Sequence, residues 1–345
     1  TPPICTDVGG VVLNAAVTTN GLYPIHDVCR LTREPTIRIS SIDLGESTTF
    51  RTAASLSRFS DPHDWAALPK AALCLLGFAP PPGRTLKRHL ERFGAGLDVT
   101  FFSALPKGSG LGASSILGAT LIAALLRILG RDPHHARVIE LASVLEQLMS
   151  TGGGWQDQAG GVLPGVKLLR TQPGAHQIPS AEAVPGHGVF AGEEAAARCL
   201  LYFTGQRRLA KNILRNVVGS YLDRVPTVRT AIERLKRGAL DMRQAVESGS
   251  LDEVAAHLHD YWTLKQTLDP GASNAAIDAL FRRLGKHLSG YSLLGAGGGG
   301  FALLIARDAR SAKHISRELA SKPHAPLARF YDFAVDPVGL RVATL

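Results

Sequence analysis

Residues 106–115 of the sequence read Pro-Lys-Gly-Ser-Gly-Leu-Gly-Ala-Ser-Ser. They are Pro106, Lys107, Gly108, Ser109, Gly110, Leu111, Gly112, Ala113, Ser114 and Ser115. Residues 97–102 before them have the composition of a strand, and residues 114–129 that of a helix. Glycines let successive backbone N–H groups converge on an anion, and a helix N-terminus adds its positive dipole end. We therefore predict a phosphate-binding loop, with Ser114 and Ser115 placed to bond a phosphate or Mg²⁺. A tight turn without a ligand is the alternative.

Two other nucleotide-binding loops fit this segment less well. A Walker A loop requires a lysine after its last glycine, whereas Gly112 is followed by Ala113. The match to G-x-G-x-x-A at Gly108, Gly110 and Ala113 is a weak dinucleotide-binding signal, which also needs a second strand ending in an acidic residue. Here a second helical pattern, beginning near Asp132, follows the first helix at once. The βαβ unit is therefore incomplete.

The composition is that of a folded chain with a moderate positive charge. Of its 345 residues, 45% are hydrophobic and 19% charged, and the length favours two domains. The net charge of +9 is spread out, and its densest cluster, residues 206–211, is short. This favours an enzyme that handles a polyphosphate over a nucleic-acid-binding protein, for which salt-dependent retention on DNA would be the test.

Targeting and redox signals are weak. No apolar run reaches the roughly 20 residues of a membrane helix, and no signal peptide is visible. The four cysteines are scattered without a CxxC pair, which predicts reduced thiols in a cytoplasmic protein. The chain begins with Thr rather than Met, so we expect it to be a piece of a longer protein.

The remaining elements alternate between strands and helices. Short strands are predicted within residues 1–60, and a helix is predicted over 132–149, with Asp132 as N-cap and Pro133 at its first position. Residues 171–195 show no clear period, so we place the lobe boundary there. Beyond it, strands are predicted at 198–203, 291–294, 301–305 and 329–334, and helices at 207–218, 223–248, 251–268 and 310–320. A glycine-rich turn, Gly295–Gly300, separates two of these strands.

Two carboxylates stand out in the middle of the chain. Glu146 borders the apolar stripe of the helix at 132–149, where it can ligate Mg²⁺ or simply reach solvent or a basic partner. Asp157 follows the run Gly152–Gly154, where an Asp is usually a cap or turn residue. Position alone favours the structural interpretation of both.

At this point the chain resembles the GHMP kinases, the superfamily of galactokinase, homoserine kinase and mevalonate kinase. Their second motif, P-x-x-x-G-L-G-S/T/A-S-S, is similar to Pro106–Ser115 throughout, and their glycine-rich third motif is similar to Gly295–Gly300. The resemblance implies an α+β fold of two lobes. The N-terminal lobe, residues 1–185, would be a ribosomal-protein-like α/β lobe without its first strand. The C-terminal lobe, residues 186–345, would be ferredoxin-like.

The same resemblance assigns roles to the site residues. It implies that residues 106–115 bind ATP, that Ser114 and Glu146 hold Mg²⁺, and that Asp157, eleven residues after Glu146, is the catalytic base. Asp157 would accept the proton of the acceptor hydroxyl, or only position that hydroxyl. The substrate side would include Trp155, Gln156, Gly297, Gly298 and Gly299. Trp155 either stacks on a sugar or is a buried loop anchor.

Finer features are similar to the L-fucokinase branch. They are Thr1–Cys5 with Gly9–Ala16, Gly152–Gln158, Thr204–Gln206 with Leu209–Ala210, and Tyr261–Trp262 with Lys265 and Leu268–Gly271. Tyr261 and Trp262 are at helical spacing, which is more typical of core residues than of site residues. The first-motif strand of this branch would precede Thr1, so we expect the given sequence to lack part of the site.

The branch implies phosphorylation of the anomeric hydroxyl of L-fucose, a monosaccharide, to fucose 1-phosphate, and possession of a nucleotidyltransferase domain in the full-length protein. A kinase for heptose 7-phosphate or another sugar, in which the Asp-Gln loop lacks the Gly-Gly-Gly-Trp form, is one alternative. A non-catalytic sugar or nucleotide sensor on the same fold is another. Neither nucleic acid nor membrane is an expected partner.

Overall fold

The computed structural model describes residues 2–61, 63–149, 152–185, 188–206 and 210–344. The predicted features at Thr1, at residues 207–208 of the basic cluster and at Leu209 lie outside these ranges. The α-helices are α1 (Pro2–Val8), α2 (Ala53–Ser57), α3 (Ala67–Leu75), α4 (Leu86–Phe93), α5 (Ala113–Ile128), α6 (His135–Leu148), α7 (Gln156–Val162), α8 (Gly188–Ala191), α9 (Glu193–Arg198), α10 (Ala210–Leu222), α11 (Pro226–Ser248), α12 (Leu251–Leu268), α13 (Ala275–Leu284) and α14 (Ala309–Ser321).

The strands confirm the predicted mixture of α and β structure. They are β1 (Gly10–Ala15), β2 (Val17–Thr19), β3 (Ile25–Thr32), β4 (Ile37–Ser41), β5 (Glu46–Phe50), β6 (Gly96–Ser103), β7 (Val166–Thr171), β8 (Ser180–Ala183), β9 (Cys199–Phe203), β10 (Leu288–Leu293), β11 (Phe301–Ala306), β12 (Arg329–Tyr331) and β13 (Phe333–Val335). Short 3-10 helices cover Pro270–Ala272 and Gly285–His287. Within the described ranges, no helix combines the length and apolar character needed to cross a bilayer.

The chain divides into two compact units that interleave along the sequence. Unit 1 contains Thr1–Tyr23, Pro106–Gly112 and Gly152–Gly339; unit 2 contains Pro24–Leu105, Ala113–Thr151 and Leu340–Leu345. The predicted lobe boundary at residue 185 falls inside the Gly152–Gly339 segment of unit 1. The division into lobes at this residue stays a prediction.

Unit 2 is built on a four-stranded mixed sheet of order β3-β6-β4-β5. Strand β4 runs parallel to β6, and the other neighbours are antiparallel. The predicted strand at 97–102 is confirmed as β6, in which Leu97, Val99 and Phe101 alternate into the core. The predicted helix at 114–129 is confirmed as α5, which packs against β3.

The C-terminal part of unit 1 contains the predicted ferredoxin-like sheet. Its order is β10-β11-β9-β12, with every neighbouring pair antiparallel. Helices α10–α13 connect β9 to β10, and α14 connects β11 to β12. Numbered along the chain, the strands therefore follow a 2-3-1-4 order with βαββαβ connectivity, which is the ferredoxin-like arrangement. Tyr202, Phe301 and Ile305 are among its buried residues.

The predicted strand at 329–334 is two strands that belong to different sheets. β12 pairs with β9, whereas β13 pairs with β2. Between them, the Asp332 backbone N–H donates to Asn20 Oδ1 at 3.0 Å, and its carbonyl accepts from the Asn20 N–H at 2.9 Å. These bonds occupy the Asp332 backbone, so the ladder is interrupted after Tyr331.

One local expectation is wrong. The N-cap of α6 is His134 instead of Asp132, because His134 is extended and its Nδ1 accepts from the Arg137 N–H at 3.3 Å. The segment 171–195 also contains strand β8, which pairs with β7 in a sheet of order β1-β7-β8. All four residues of β8 are exposed, so the strand has no apolar alternation to detect.

Candidate active site

The glycine loop, Pro106–Gly112, has the backbone that its sequence predicts. Gly108, Gly110 and Gly112 have φ angles of +72°, +86° and +67°. Residues with a Cβ adopt this left-handed region only at a cost of roughly 1–2 kcal/mol. Gly112 is followed directly by Ala113, the first residue of α5.

The glycine loop is packed, backbone to backbone, against the glycine turn, Gly295–Gly300. The Phe301 N–H donates to the Ser109 carbonyl at 2.8 Å. A Cβ on Gly300 would lie 2.2 Å from the same carbonyl oxygen, and one on Gly295 would lie 2.7 Å from Gly110 Cα. Contacts this close exclude a side chain at Gly295 and Gly300. The backbone packing of the loop on the turn therefore requires glycine at these positions.

The far side of the glycine turn is backed by protein. A Cβ on Gly297 would lie 2.5 Å from the Ala272 carbonyl oxygen, and one on Gly299 would lie 3.1 Å from that of Gln206. The Gly300 N–H donates to the Gln206 carbonyl at 2.9 Å. The predicted substrate-side residues of the turn therefore have a fixed backbone.

Asp157 lies at the end of the glycine loop. It is in the first turn of α7 and is half-buried. A Cβ on Gly112 would lie 2.9 Å from Asp157 Cβ and 3.0 Å from its Cγ. The structure thus brings together, within unit 1, the predicted phosphate loop, the predicted base and the glycine turn.

The helix that carries Asp157 is fixed at both ends. Asn14 Nδ2 donates to the Gln156 carbonyl at 3.3 Å. Beyond the other end, the buried Lys167 Nζ donates to the carbonyls of Gly160 and Leu163, both at 2.6 Å. A cation at a helix C-terminus is favourable. Burial lowers the pKa of Lys167 to about 7, although the charge of Asp336 acts in the opposite direction.

Several buried polar groups near Asp157 have no hydrogen-bond partner among the described residues. They are the Ser109 hydroxyl, the Trp155 indole N–H and both amide atoms of Gln158. Unpaired buried polar groups are costly and are found where a ligand or water completes them. The Ser109 hydroxyl, within the glycine loop, fits a phosphate oxygen as its partner.

Trp155 and Gln156, both predicted on the substrate side, have different environments. Trp155 is 5% exposed. A Cβ on Gly10 would lie 2.5 Å from its Cζ2, so the indole is packed on β1 as an anchor of the loop. Gln156 is exposed. A sugar contact for either residue stays a prediction.

Sequence reasoning missed two residues of α12 that lie beside this cluster. Tyr261 is 40% exposed. The surrounding protein and the negative charge of Asp157 raise its pKa to about 12. Lys265 is buried, and its Nζ donates to the carbonyls of Leu293 and Gly295, both at 2.7 Å. Burial lowers the pKa of Lys265 to about 7.

The predicted metal ligands Ser114 and Glu146 lie in unit 2, and their binding of Mg²⁺ stays a prediction. Ser115 Oγ donates to the Glu146 carboxylate, and Ser114 is exposed. A Cβ on Gly118 would lie 2.9 Å from Leu145 Cδ2, so this glycine allows α5 and α6 to approach closely. The phase of α5 decides which hydroxyl faces α6, and it brings Ser115 to Glu146.

Ser115 and Glu146 offer a hydroxyl and a carboxylate, which are oxygen groups that can bind Mg²⁺. Glu146 is 6% exposed, and its oxygens are hard ligands. No group of three or more His, Cys, Asp or Glu residues that could hold a metal is present in the described part of the chain. Mg²⁺ bound here would therefore need phosphate oxygens or water as further ligands, as it commonly does.

Two models of known protein families match this chain. Residues 82–165 match the GHMP kinases N terminal domain, and residues 242–325 match the GHMP kinases C terminal domain. The chain belongs to the GHMP kinase family. The first match contains the glycine loop and Asp157, and the second contains the glycine turn, so both motifs of this GHMP kinase fall in the expected domain.

Two curated relatives are similar to this GHMP kinase over nearly its whole length. The L-fucokinase/L-fucose-1-P guanylyltransferase of Bacteroides fragilis is 37% identical over 99% of the chain. The bifunctional fucokinase/GDP-fucose pyrophosphorylase of Arabidopsis thaliana is 38% identical over 92%. The chain spans only 36% and 29% of these relatives.

A solved structure supports the fold. The galactokinase of Lactococcus lactis, crystallised with galactose, superposes with a TM-score of 0.64 at 15% identity, over 97% of this chain and 94% of that one. At this level of identity the similarity confirms the GHMP kinase fold and says nothing about the substrate.

Proposed function

We propose that the chain is an ATP-dependent sugar kinase that phosphorylates the anomeric hydroxyl of L-fucose to give fucose 1-phosphate. One observation carries the proposal: the Asp157 side chain lies against Gly112, at the end of the glycine loop. A carboxylate there can accept the proton of a hydroxyl that attacks a phosphate bound by the loop. The identities of 37% and 38% to proteins named as fucokinases favour L-fucose.

The reaction follows from these positions. The backbone N–H groups of the glycine loop and the Ser109 hydroxyl bind the phosphates of ATP. The sugar oxygen bonds to the γ-phosphorus while the bond from that phosphorus to the β–γ bridging oxygen breaks, and ADP leaves. The proton of the sugar hydroxyl passes to Asp157. Such transition states are loose, so the main contribution of the protein is to position the reactants.

Glu146 and Ser115 are the residues that would hold Mg²⁺, with Ser114 at the same helix N-terminus. When bound, the ion neutralises charge that develops on the phosphates. The Glu146 carboxylate supplies the hard oxygen ligand, and the Ser115 hydroxyl orients it.

The sugar 1-phosphate product suits a nucleotidyltransferase, which joins a sugar phosphate to a nucleotide. We therefore propose that a domain of this kind accompanies the kinase in the full-length protein. The names of the two curated relatives, of which this chain spans about a third, support this.

An acceptor panel tests the proposed substrate. The purified chain is assayed for ADP release with Mg²⁺–ATP and L-fucose, D-galactose or a heptose 7-phosphate. We expect the highest kcat/KM with L-fucose. Preference for galactose or the heptose phosphate would refute L-fucose as the substrate and leave the family assignment intact. ATP binding without turnover of any acceptor would favour a non-catalytic sensor.

A glycine substitution tests the contact between the loop and the base. Gly112→Ala is expected to lower kcat by about 10²-fold, because its new Cβ displaces Asp157 and misplacement by about 1 Å has effects of this size. Gly130→Ala is the matched control. Gly130 has φ +68° and no neighbour within 4 Å of an added Cβ, so it reproduces only the backbone strain.

Steady-state kinetics and the Tm of both variants separate the two effects. Both should lose about 1–2 kcal/mol of stability to backbone strain, and Gly112→Ala more than that because its Cβ also displaces Asp157. Equal losses of kcat in the two variants would contradict a catalytic role for this contact.

A further inference from the structure

Tyr261 on α12 has an exposed ring face that packing of the core does not explain. Its neighbour Trp262 is buried in the core of the ferredoxin-like part of unit 1. Tyr261 is 40% exposed. A large aromatic ring on the surface is unremarkable by itself. Its place beside Lys265, whose Nζ donates to the glycine turn, is what calls for an explanation.

Tyr261 is tied to both glycine motifs through Lys265. The Lys265 Nζ lies 5.1 Å from the centre of the Tyr261 ring. The same nitrogen donates to the Gly295 carbonyl at 2.7 Å, and Gly295 is packed against Gly110. One cation–π contact and one hydrogen bond therefore link the Tyr261 ring to the glycine turn, which is packed on the glycine loop.

Tyr261 and Asp157 interact electrostatically. The charge of Asp157 is among the causes that raise the pKa of Tyr261 to about 12, so the two side chains are within electrostatic reach. Gly112 lies against Asp157, and Lys265 joins the Tyr261 ring to Gly295 of the glycine turn. All of these residues belong to unit 1.

We propose that Tyr261 binds the acceptor sugar, with its exposed ring face against the apolar face of the sugar, and that Lys265 is the positioning residue that holds this ring. The inference rests on the proposed kinase function and extends it to a specificity-determining residue. Tyr261 suits this role because an aromatic ring offers apolar contact area and a polar hydroxyl at once.

The other aromatic residue near Asp157 is less suited to this task. Trp155 is 5% exposed, and its indole is packed on Gly10. Tyr261 keeps an accessible face and is held from behind by Lys265, which is itself buried and therefore immobile. A contact that orders few new rotamers on binding contributes more to affinity.

The experiment compares Tyr261→Ala, Tyr261→Phe and a control in kcat, in KM for L-fucose and ATP, and in Tm. The control is Phe93→Ala, an aromatic residue on a helix with a similar exposure of 37% and an aromatic neighbour, Phe78. We expect Tyr261→Ala to raise the KM for L-fucose about tenfold and to leave the KM for ATP within twofold. Tyr261→Phe should restore most of the sugar affinity, and Phe93→Ala should change neither KM.

The outcomes distinguish this inference from the function on which it rests. If the wild-type protein phosphorylates L-fucose and Tyr261→Ala has an unchanged KM for it, the inference fails and the kinase function stands. A parallel rise of both KM values with a lower Tm would also overturn it, since that pattern is a loss of packing. If the wild-type protein phosphorylates no sugar, the proposed function fails and the inference with it. Should Tyr261→Ala not fold, Tyr261→Leu keeps the packing volume and gives the same test.

Discussion

Asp157→Asn is expected to lower kcat by about 10²-fold or more, the usual scale for a positioned proton acceptor. The substitution keeps the shape of the side chain and removes its charge. The affinity for ATP should change little, because the glycine loop is the proposed phosphate-binding element and Asp157 only borders that loop through Gly112. Turnover, ATP affinity and Tm are measured on one preparation.

A capping carboxylate elsewhere provides the control. Asp308 Oδ1 accepts from the Ser311 N–H at 2.6 Å as the N-cap of α14, a purely structural duty. Asp308→Asn should keep a normal kcat with at most a modest change in Tm, since Asn is also a good N-cap. If Asp157 had only the same kind of duty, in the first turn of α7, its Asn variant would behave like this control. A stable Asp157→Asn protein with unchanged kcat would show that Asp157 is not catalytic.

Glu146→Gln is expected to reduce turnover by about 10²-fold at limiting Mg²⁺ and to shift half-saturation to higher Mg²⁺. The amide oxygen can still accept from the Ser115 hydroxyl, so the fold should survive. What is lost is the negative charge that attracts the ion. The measurement is initial rate against free Mg²⁺ concentration at fixed ATP.

The matched control for this variant is on the same helix. Glu140 is exposed and pairs with Arg137, three residues earlier, at 2.7 Å. Such exposed pairs contribute about 0–1 kcal/mol, so Glu140→Gln should leave the Mg²⁺ dependence unchanged. If Glu146→Gln has the same Mg²⁺ dependence as Glu140→Gln, the proposed metal site is wrong.

The glycine motifs could be predicted from the sequence because they depend on backbone geometry alone. Positive φ angles at Gly108, Gly110 and Gly112 and the contact of Gly300 with Ser109 leave no room for a side chain. The ferredoxin-like order was implied by a family resemblance, and the antiparallel pairs of β9–β12 confirm it.

Helix phase and burial were harder to predict from the sequence. Ser114 and Ser115 are about 100° apart around α5, and only its packing on α6 selects Ser115 as the partner of Glu146. Tyr261 and Trp262 are related in the same way on α12, and only Trp262 is buried.

The buried lysines were beyond sequence reasoning for a different reason. Lysine is almost never fully buried, so a pattern-based analysis assigns it to the surface. Lys167 and Lys265 are buried because backbone carbonyls at a helix end and at the glycine turn accept hydrogen bonds from their Nζ atoms. Those carbonyls converge on the ammonium groups only in the folded chain.

The most direct test of the central claim is the identity of the product formed from ATP and L-fucose. The purified chain is incubated with Mg²⁺–ATP and L-fucose, and the product is analysed by ³¹P NMR with proton correlation. We expect a new phosphate monoester coupled to the anomeric proton of fucose, formed in step with ADP. A phosphate on another hydroxyl, or ADP without any fucose phosphate, would contradict it.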